Sequence, residues 1–196
     1  METGKPRSVG QHRSDLDPTS VWVVGDEREV VIIDADGNGI NIADVVGDRC
    51  VTAVICTQGS RAHSSAAVDV AWALCAPVLL HPADHSLWGT VHGQSRYWQL
   101  VDGQRIAVAN EQLRVVHTPA TTAGSVSLHF PNLNALFTGD ALGHGCEPPR
   151  PSQTWSSESP FGSNLPHDTR VYPGHGDSFL LGEIASPTER LMRHSA

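Results

Sequence analysis

The chain has 196 residues, a formal charge of −8 and only 13 lysines and arginines. Phosphate-backbone binding depends on clustered cations, so this balance excludes nucleic acid as the main partner. A hydrophobic fraction of 39% suits one globular domain, and no apolar run approaches the roughly 18–20 residues that cross a bilayer.

Residues 1–18 are polar and bear Gly, Pro and Ser, which reads as a flexible leader before a single domain over 19–196. Met1 to Arg7 lacks the apolar core of a signal peptide, and a cytoplasmic protein is expected. Val21 to Gly25 and Val30 to Asp34 are β-branched runs flanking the charged turn Asp26-Glu27-Arg28, the pattern of a hairpin. Asn41 to Val46 suits a short helix and Val51 to Cys56 a buried strand. Ala62 to Cys75 places Val68, Ala71, Trp72 and Cys75 at the spacing of one helix with one buried face. Pro77 to Leu80 is a further short strand, followed by a polar stretch through Gln99 that holds His81, His85, Trp88, Tyr97 and Trp98. These aromatic side chains suit either a cleft lining or core and rim packing.

Ile106 to Ala109, Leu113 to His117, Val126 to Phe130 and Ala135 to Thr138 read as successive strands punctuated by Gly, Pro and Asn. Gly143 to Pro166 is dominated by Gly, Pro and Ser and is expected to be a long loop. The four cysteines, Cys50, Cys56, Cys75 and Cys146, show no C-x-x-C spacing, so neither a zinc knuckle nor a disulfide framework is indicated. Cys56 and Cys75 lie in apolar contexts and are expected to be core thiols. His12, His92, His129 and His194 have no partner pattern and are expected at the surface.

Three segments carry a resemblance. Cys56-Thr57-Gln58-Gly59-Ser60-Arg61-Ala62-His63 follows a strand and leads into a helix, Leu136-Phe137-Thr138-Gly139-Asp140 ends a strand on an aspartate, and Val171-Tyr172-Pro173-Gly174-His175-Gly176 ends one on a histidine. Together with His117-Thr118-Pro119-Ala120-Thr121-Thr122-Ala123-Gly124-Ser125, their order resembles that of the metallo-β-lactamase superfamily, nearest to its hydroxyacylglutathione-hydrolase (glyoxalase II)-like members. Val21 to Asp26, Val30 to Asp34 and Pro77 to Pro82 are similar to that branch as well. The resemblance runs from about Ser20 to Gly182 and implies a four-layer αββα sandwich with a metal site at one edge of the paired sheets.

The ligand positions depart from the family. By the resemblance, Gln58, Ser60 and Thr121 stand where three histidines would hold a first ion, and Ala62 stands where an aspartate would join a second. His63, Asp140 and His175 keep their ligands. Neutral oxygens replace imidazole poorly toward zinc, so the first site is rejected, and with it ordinary two-zinc hydrolysis. Two histidines and one carboxylate still suffice for one zinc, iron or manganese ion. The resemblance therefore implies a divergent small-molecule enzyme, hydrolase-like by descent, acting on a thioester or other activated carbonyl with His63, Asp140 and His175 around one metal or none. Gln58, Ser60, Thr121 and His144 are the candidate substrate-pocket residues. Three alternatives stay open: a non-catalytic protein that binds a metabolite or partner in the cleft, a metal-free His/Asp acid–base lyase or cyclase, and a mononuclear iron enzyme. Oligomeric state is not readable.

Overall fold

The computed structural model describes residues 19–37, 42–142 and 165–184. The expected leader, His12, His144, Cys146, His194 and the Gly143 to Pro166 loop, apart from its last two residues, lie outside the described residues.

Strands β1 (Trp22–Gly25) and β2 (Glu29–Ile33) form the expected hairpin, paired Trp22 to Ile33 through Gly25 to Val30. The sequence of β2 is nearly all β-branched because both faces are covered, as parallel strands require. It pairs in parallel with β3 (Cys50–Ile55), which pairs with β4 (Val78–Leu80), which pairs with β5 (Trp98–Gln99), making a five-stranded sheet ordered β1-β2-β3-β4-β5. The second sheet runs β11-β10-β9-β8-β7-β6 and contains β6 (Arg105–Val108), β7 (Glu111–His117), β8 (Val126–Phe130), β9 (Ala135–Gly139), β10 (Arg170–Pro173) and β11 (Phe179–Leu180). Only β9 and β10 are parallel within it.

Two faces meet in the middle. Trp22, Val31, Ile33 and Ile55 of the first sheet share one buried cluster with Leu113, Val115, Leu128 and Phe137 of the second. Trp22, Phe137 and Tyr172 pack ring to ring there, with Phe137 and Tyr172 stacked at 4.8 Å. The other face of the first sheet buries Val23, Val30, Ile32 and Val54 against helices α1 (Ile42–Val46), α3 (Ala67–Ala73) and α4 (His85–His92). The outer face of the second sheet carries Leu136, Val171, Phe179 and Leu181, with Leu142 and Leu165 laid on it. Two mixed sheets with helices outside are therefore as the sequence implied.

Three expectations are corrected. The span 62–75 is not one helix but α2 (Arg61–Ser64) and α3, because Ala66 N donates to Ala35 O and Ser65 Oγ to Asp36, tying the chain to the loop after β2. Trp72 is 84% exposed and Cys75 is also exposed; α3 buries Ala67 and Ala71 instead. The polar stretch after β4 holds a helix, α4, whose Trp88 is fully buried and donates Nε1 to Ser95 O at 2.8 Å.

Candidate functional site

The carboxyl ends of five strands converge on one edge of the sandwich, the usual place for ligand sites where parallel strands end in loops. Asp34 follows β2, the segment 56–63 follows β3, Thr121 follows β7, Asp140 follows β9 and His175 follows β10. The two sheets are clasped at this edge: Val126 N donates to Thr57 O at 2.8 Å, Ser20 N to Gly174 O at 2.6 Å, and Trp22 Nε1 to Pro173 O at 3.3 Å. Gly174 must be glycine, since a Cβ there would lie 2.6 Å from His63 Cε1 and 2.8 Å from Asp140 Oδ1. The backbone itself is one wall of the site.

His63, fully buried on α2, lies between two carboxylates. Its Nδ1 is 2.9 Å from Asp34 Oδ2 and its Nε2 is 3.0 Å from Asp140 Oδ2. Burial opposes a charged imidazole here, but the Asp34 charge and hydrogen bonds to Asp140 and Asp34 outweigh it and push the pKa up to about 10. Burial likewise opposes the Asp140 carboxylate, yet His175 and His63 beside it hold its pKa well below the usual range. His175 Nε2 is 3.2 Å from Asp140 Oδ1, and the two histidine rings stand edge to face at 5.5 Å.

The three residues that the sequence singled out are thus brought together: one ligand atom from each of His63, Asp140 and His175 lies within 4.8 Å of the others. Asp140 Oδ1 is buried and has no aligned hydrogen bond, so it retains a lone pair for a cation. The donor set fits one divalent ion. Gln58, Ser60 and Thr121 do not fit a second. Gln58 is buried, with Nε2 donating to Asp140 Oδ2 at 2.6 Å and Oε1 accepting from Thr121 Oγ1 at 2.8 Å. Ser60 is half-buried at the start of α2 and its side chain makes no capping bond. His144 lies outside the described residues.

Two site residues escaped the sequence reading. Asp34 accepts from Thr57 N and Thr57 Oγ1, both at 2.7 Å, besides facing His63. Asp84, also buried, accepts from Gly59 N at 2.8 Å, Thr122 Oγ1 at 2.6 Å and Gly124 N at 2.7 Å, and so pins the loop after β3 to the loop after β7. A strand-end aspartate after an apolar run was the available signal for Asp34. Outside this cluster, His81 stacks on His117 at 4.1 Å, and His117 Nε2 lies 2.8 Å from Ala123 O. His85 instead pairs with the Tyr97 hydroxyl at 3.0 Å, and Trp98 is 72% exposed.

The sequence model of the Metallo-beta-lactamase superfamily matches residues 62–185. The chain belongs to that superfamily. Metallo-β-lactamase relatives include the lactamase-like protein aptB of Emericella nidulans, 30% identical over 66% of this chain and 42% of that protein. A hydroxyacylglutathione hydrolase of Fuscovulum blasticum is 29% identical over 69% of this chain and 46% of its own length. The atrochrysone carboxyl ACP thioesterase of Aspergillus terreus is 28% identical over 97% of this chain and 60% of its own length. The chain spans about half the length of these curated relatives. Among solved structures, TTHA1623 in a di-iron-bound form superposes with a TM-score of 0.70 at 24% identity, covering 93% of this chain and 98% of that one. ETHE1 from Myxococcus xanthus gives a TM-score of 0.67 at 25% identity over 89% of this chain and 80% of that one. The metallo-β-lactamase fold is shared, but this member has no intact two-metal motif.

Proposed function

We propose that this protein is a divergent metallo-β-lactamase-fold enzyme that hydrolyses a small thioester or another activated carbonyl compound at a centre of His63, Asp140 and His175 holding one divalent ion. The observation that carries the reading is the convergence of those three side chains at a clasped sheet edge, with a buried Asp140 oxygen left without an aligned donor. An ion held there would polarise the substrate carbonyl and bring the pKa of a bound water toward about 7. The remaining work belongs to the chain. Asp34 orients the His63 ring through Nδ1, as carboxylates do for metal-binding histidines. Gly174 lets backbone approach the centre with no side chain in the way. Gln58 and Thr121, joined by a hydrogen bond, present a neutral side to the centre in place of imidazole ligands.

The names of two relatives supply the first substrates to try, hydroxyacylglutathione thioesters and acyl-carrier-protein thioesters. Turnover of either by metal-supplemented protein, lost in His63→Ala, Asp140→Ala and His175→Ala variants that keep their circular dichroism, is the expected result. A folded protein that binds a metabolite without turning over any thioester would instead indicate a binding role. A second reading is favoured by His63 lying between two carboxylates: a metal-free acid–base group suited to lyase or isomerase chemistry. Activity that survives exhaustive chelation selects that reading over the first.

A further inference from the structure

Gln58 is buried where the superfamily motif calls for a metal-binding histidine, but its carboxamide is not idle. Its donor and acceptor ends are assigned by their neighbours: Nε2 must face Asp140, since Oε1 would be repelled by a carboxylate, and Oε1 then accepts from Thr121 Oγ1. At 2.6 Å the Gln58–Asp140 bond has the short length of a charge-assisted hydrogen bond. Asp140 Oδ2 receives Gln58 Nε2 on one side and faces His63 Nε2 at 3.0 Å on the other. Asp140 Oδ1 receives no amide donor and instead pairs with His175 Nε2 at 3.2 Å without an aligned hydrogen bond. The two carboxylate oxygens are therefore inequivalent, and the one that would have to serve a second cation is already engaged by an amide.

We propose that Gln58, braced by Thr121, is a positioning residue that holds Asp140 Oδ2 and limits the centre to a single divalent cation. This rests on the one-ion reading above and deepens it, because it gives the substitution at position 58 a task beyond the loss of a ligand. The amide presents its donor to the carboxylate and buries its acceptor against Thr121, so neither end is left to a metal. Thr121 acts only through Gln58.

The test counts ions and reads their surroundings, independently of turnover. Wild-type protein and the variants Gln58→Ala, Gln58→Glu and Thr121→Val are dialysed against excess Mn²⁺ and counted by mass spectrometry, and Co²⁺-loaded samples are compared by visible absorption. Circular dichroism selects folded samples. Wild type is expected to saturate at one ion per chain. Gln58→Ala should still bind one, about 10-fold or more weakly as for other residues that orient a ligand, with a displaced Co²⁺ band. Thr121→Val should shift both readouts the same way by less, and it carries the test if Gln58→Ala does not fold. Gln58→Glu sets a second carboxylate beside Asp140 and should admit a second Mn²⁺, an ion suited to oxygen ligands. Two ions in wild type would overturn the proposal and leave the metal centre standing. One ion in wild type with unchanged affinity and spectrum in the folded variants would overturn the role of Gln58 alone. No ion in folded wild type would reject the one-ion reading itself and this inference with it.

Discussion

Asp34 faces three donors at once, Thr57 N, Thr57 Oγ1 and His63 Nδ1, from a backbone with φ of +56°. Left-handed backbone is rare outside glycine, and aspartate and asparagine tolerate it better than most residues. Removing the carboxylate leaves a buried imidazolium with one partner fewer, so Asp34→Ala should cost about 3–5 kcal/mol in urea unfolding. Asp34→Asn keeps the backbone preference and much of the shape. Its amide favours the His63 tautomer with the proton on Nε2, the atom that faces Asp140. We expect this variant to fold but to bind Mn²⁺ about 10- to 100-fold more weakly than wild type, measured by calorimetric titration; equal affinity in a folded Asp34→Asn protein would contradict the orienting role. At this scale the sequence made His63, Asp140 and His175 legible, because each ends a recognisable strand-and-turn segment. It could not show that Gln58 reaches Asp140 or that Asp34 reaches His63, since these pairs are 82 and 29 positions apart and meet only in the fold.

The strands were readable because β2, β3 and β9 are nearly continuous apolar or β-branched runs and β8 alternates apolar with polar residues, all bounded by turn residues, patterns with few competing meanings. The helices were less so. The apolar spacing across 62–75 fits one helix, but the chain breaks at Ser65-Ala66 to tie back to Ala35 and Asp36, and periodicity carries no trace of that long-range bond. The break rotates α3 so that Ala71 faces the sheet and Trp72 faces solvent. Trp72→Ser should therefore change stability by no more than about 0.5 kcal/mol, whereas Ala71→Leu, pressed against the packed first sheet, should cost about 1–3 kcal/mol. Thermal and urea melts of the two variants decide it, and a large loss from Trp72→Ser would contradict the orientation. Helix α4 had readable punctuation in Pro82 at its approach and Gly93, φ +59°, at its end. Its histidines and Gly89 diluted the apolar pattern, and only packing shows that Trp88 is its core anchor.

For the molecule as a whole, acid acts in two opposed directions: the raised pKa of His63 adds stability as pH falls toward about 6.5, whereas two other histidines fold in a neutral form and lose it. Burial lowers the pKa of His129, with Arg114 adding to the effect, and burial followed by the stacked His117 lowers that of His81. A pKa lower in the folded than in the unfolded chain gives stability that is full above the ordinary value of about 6.5 and lost as pH falls below it. Between pH 7.5 and 5.5 the melting temperature of His129→Gln should therefore rise relative to that of wild type; an identical change in both proteins would contradict a neutral, buried His129. No described helix is long and apolar enough to cross a membrane. The superfamily membership and the two-sheet architecture were legible from motif order, while the clasp of backbone bonds that draws the sheet ends together was not. The proposed chemistry requires that the converging trio hold an ion. The most direct measurement is metal content per folded chain by inductively coupled plasma mass spectrometry after loading and gel filtration, in wild type and His175→Ala. We predict one divalent ion per wild-type chain and none in folded His175→Ala; a folded wild-type protein that retains no ion, or a variant that keeps the same content, would contradict the claim.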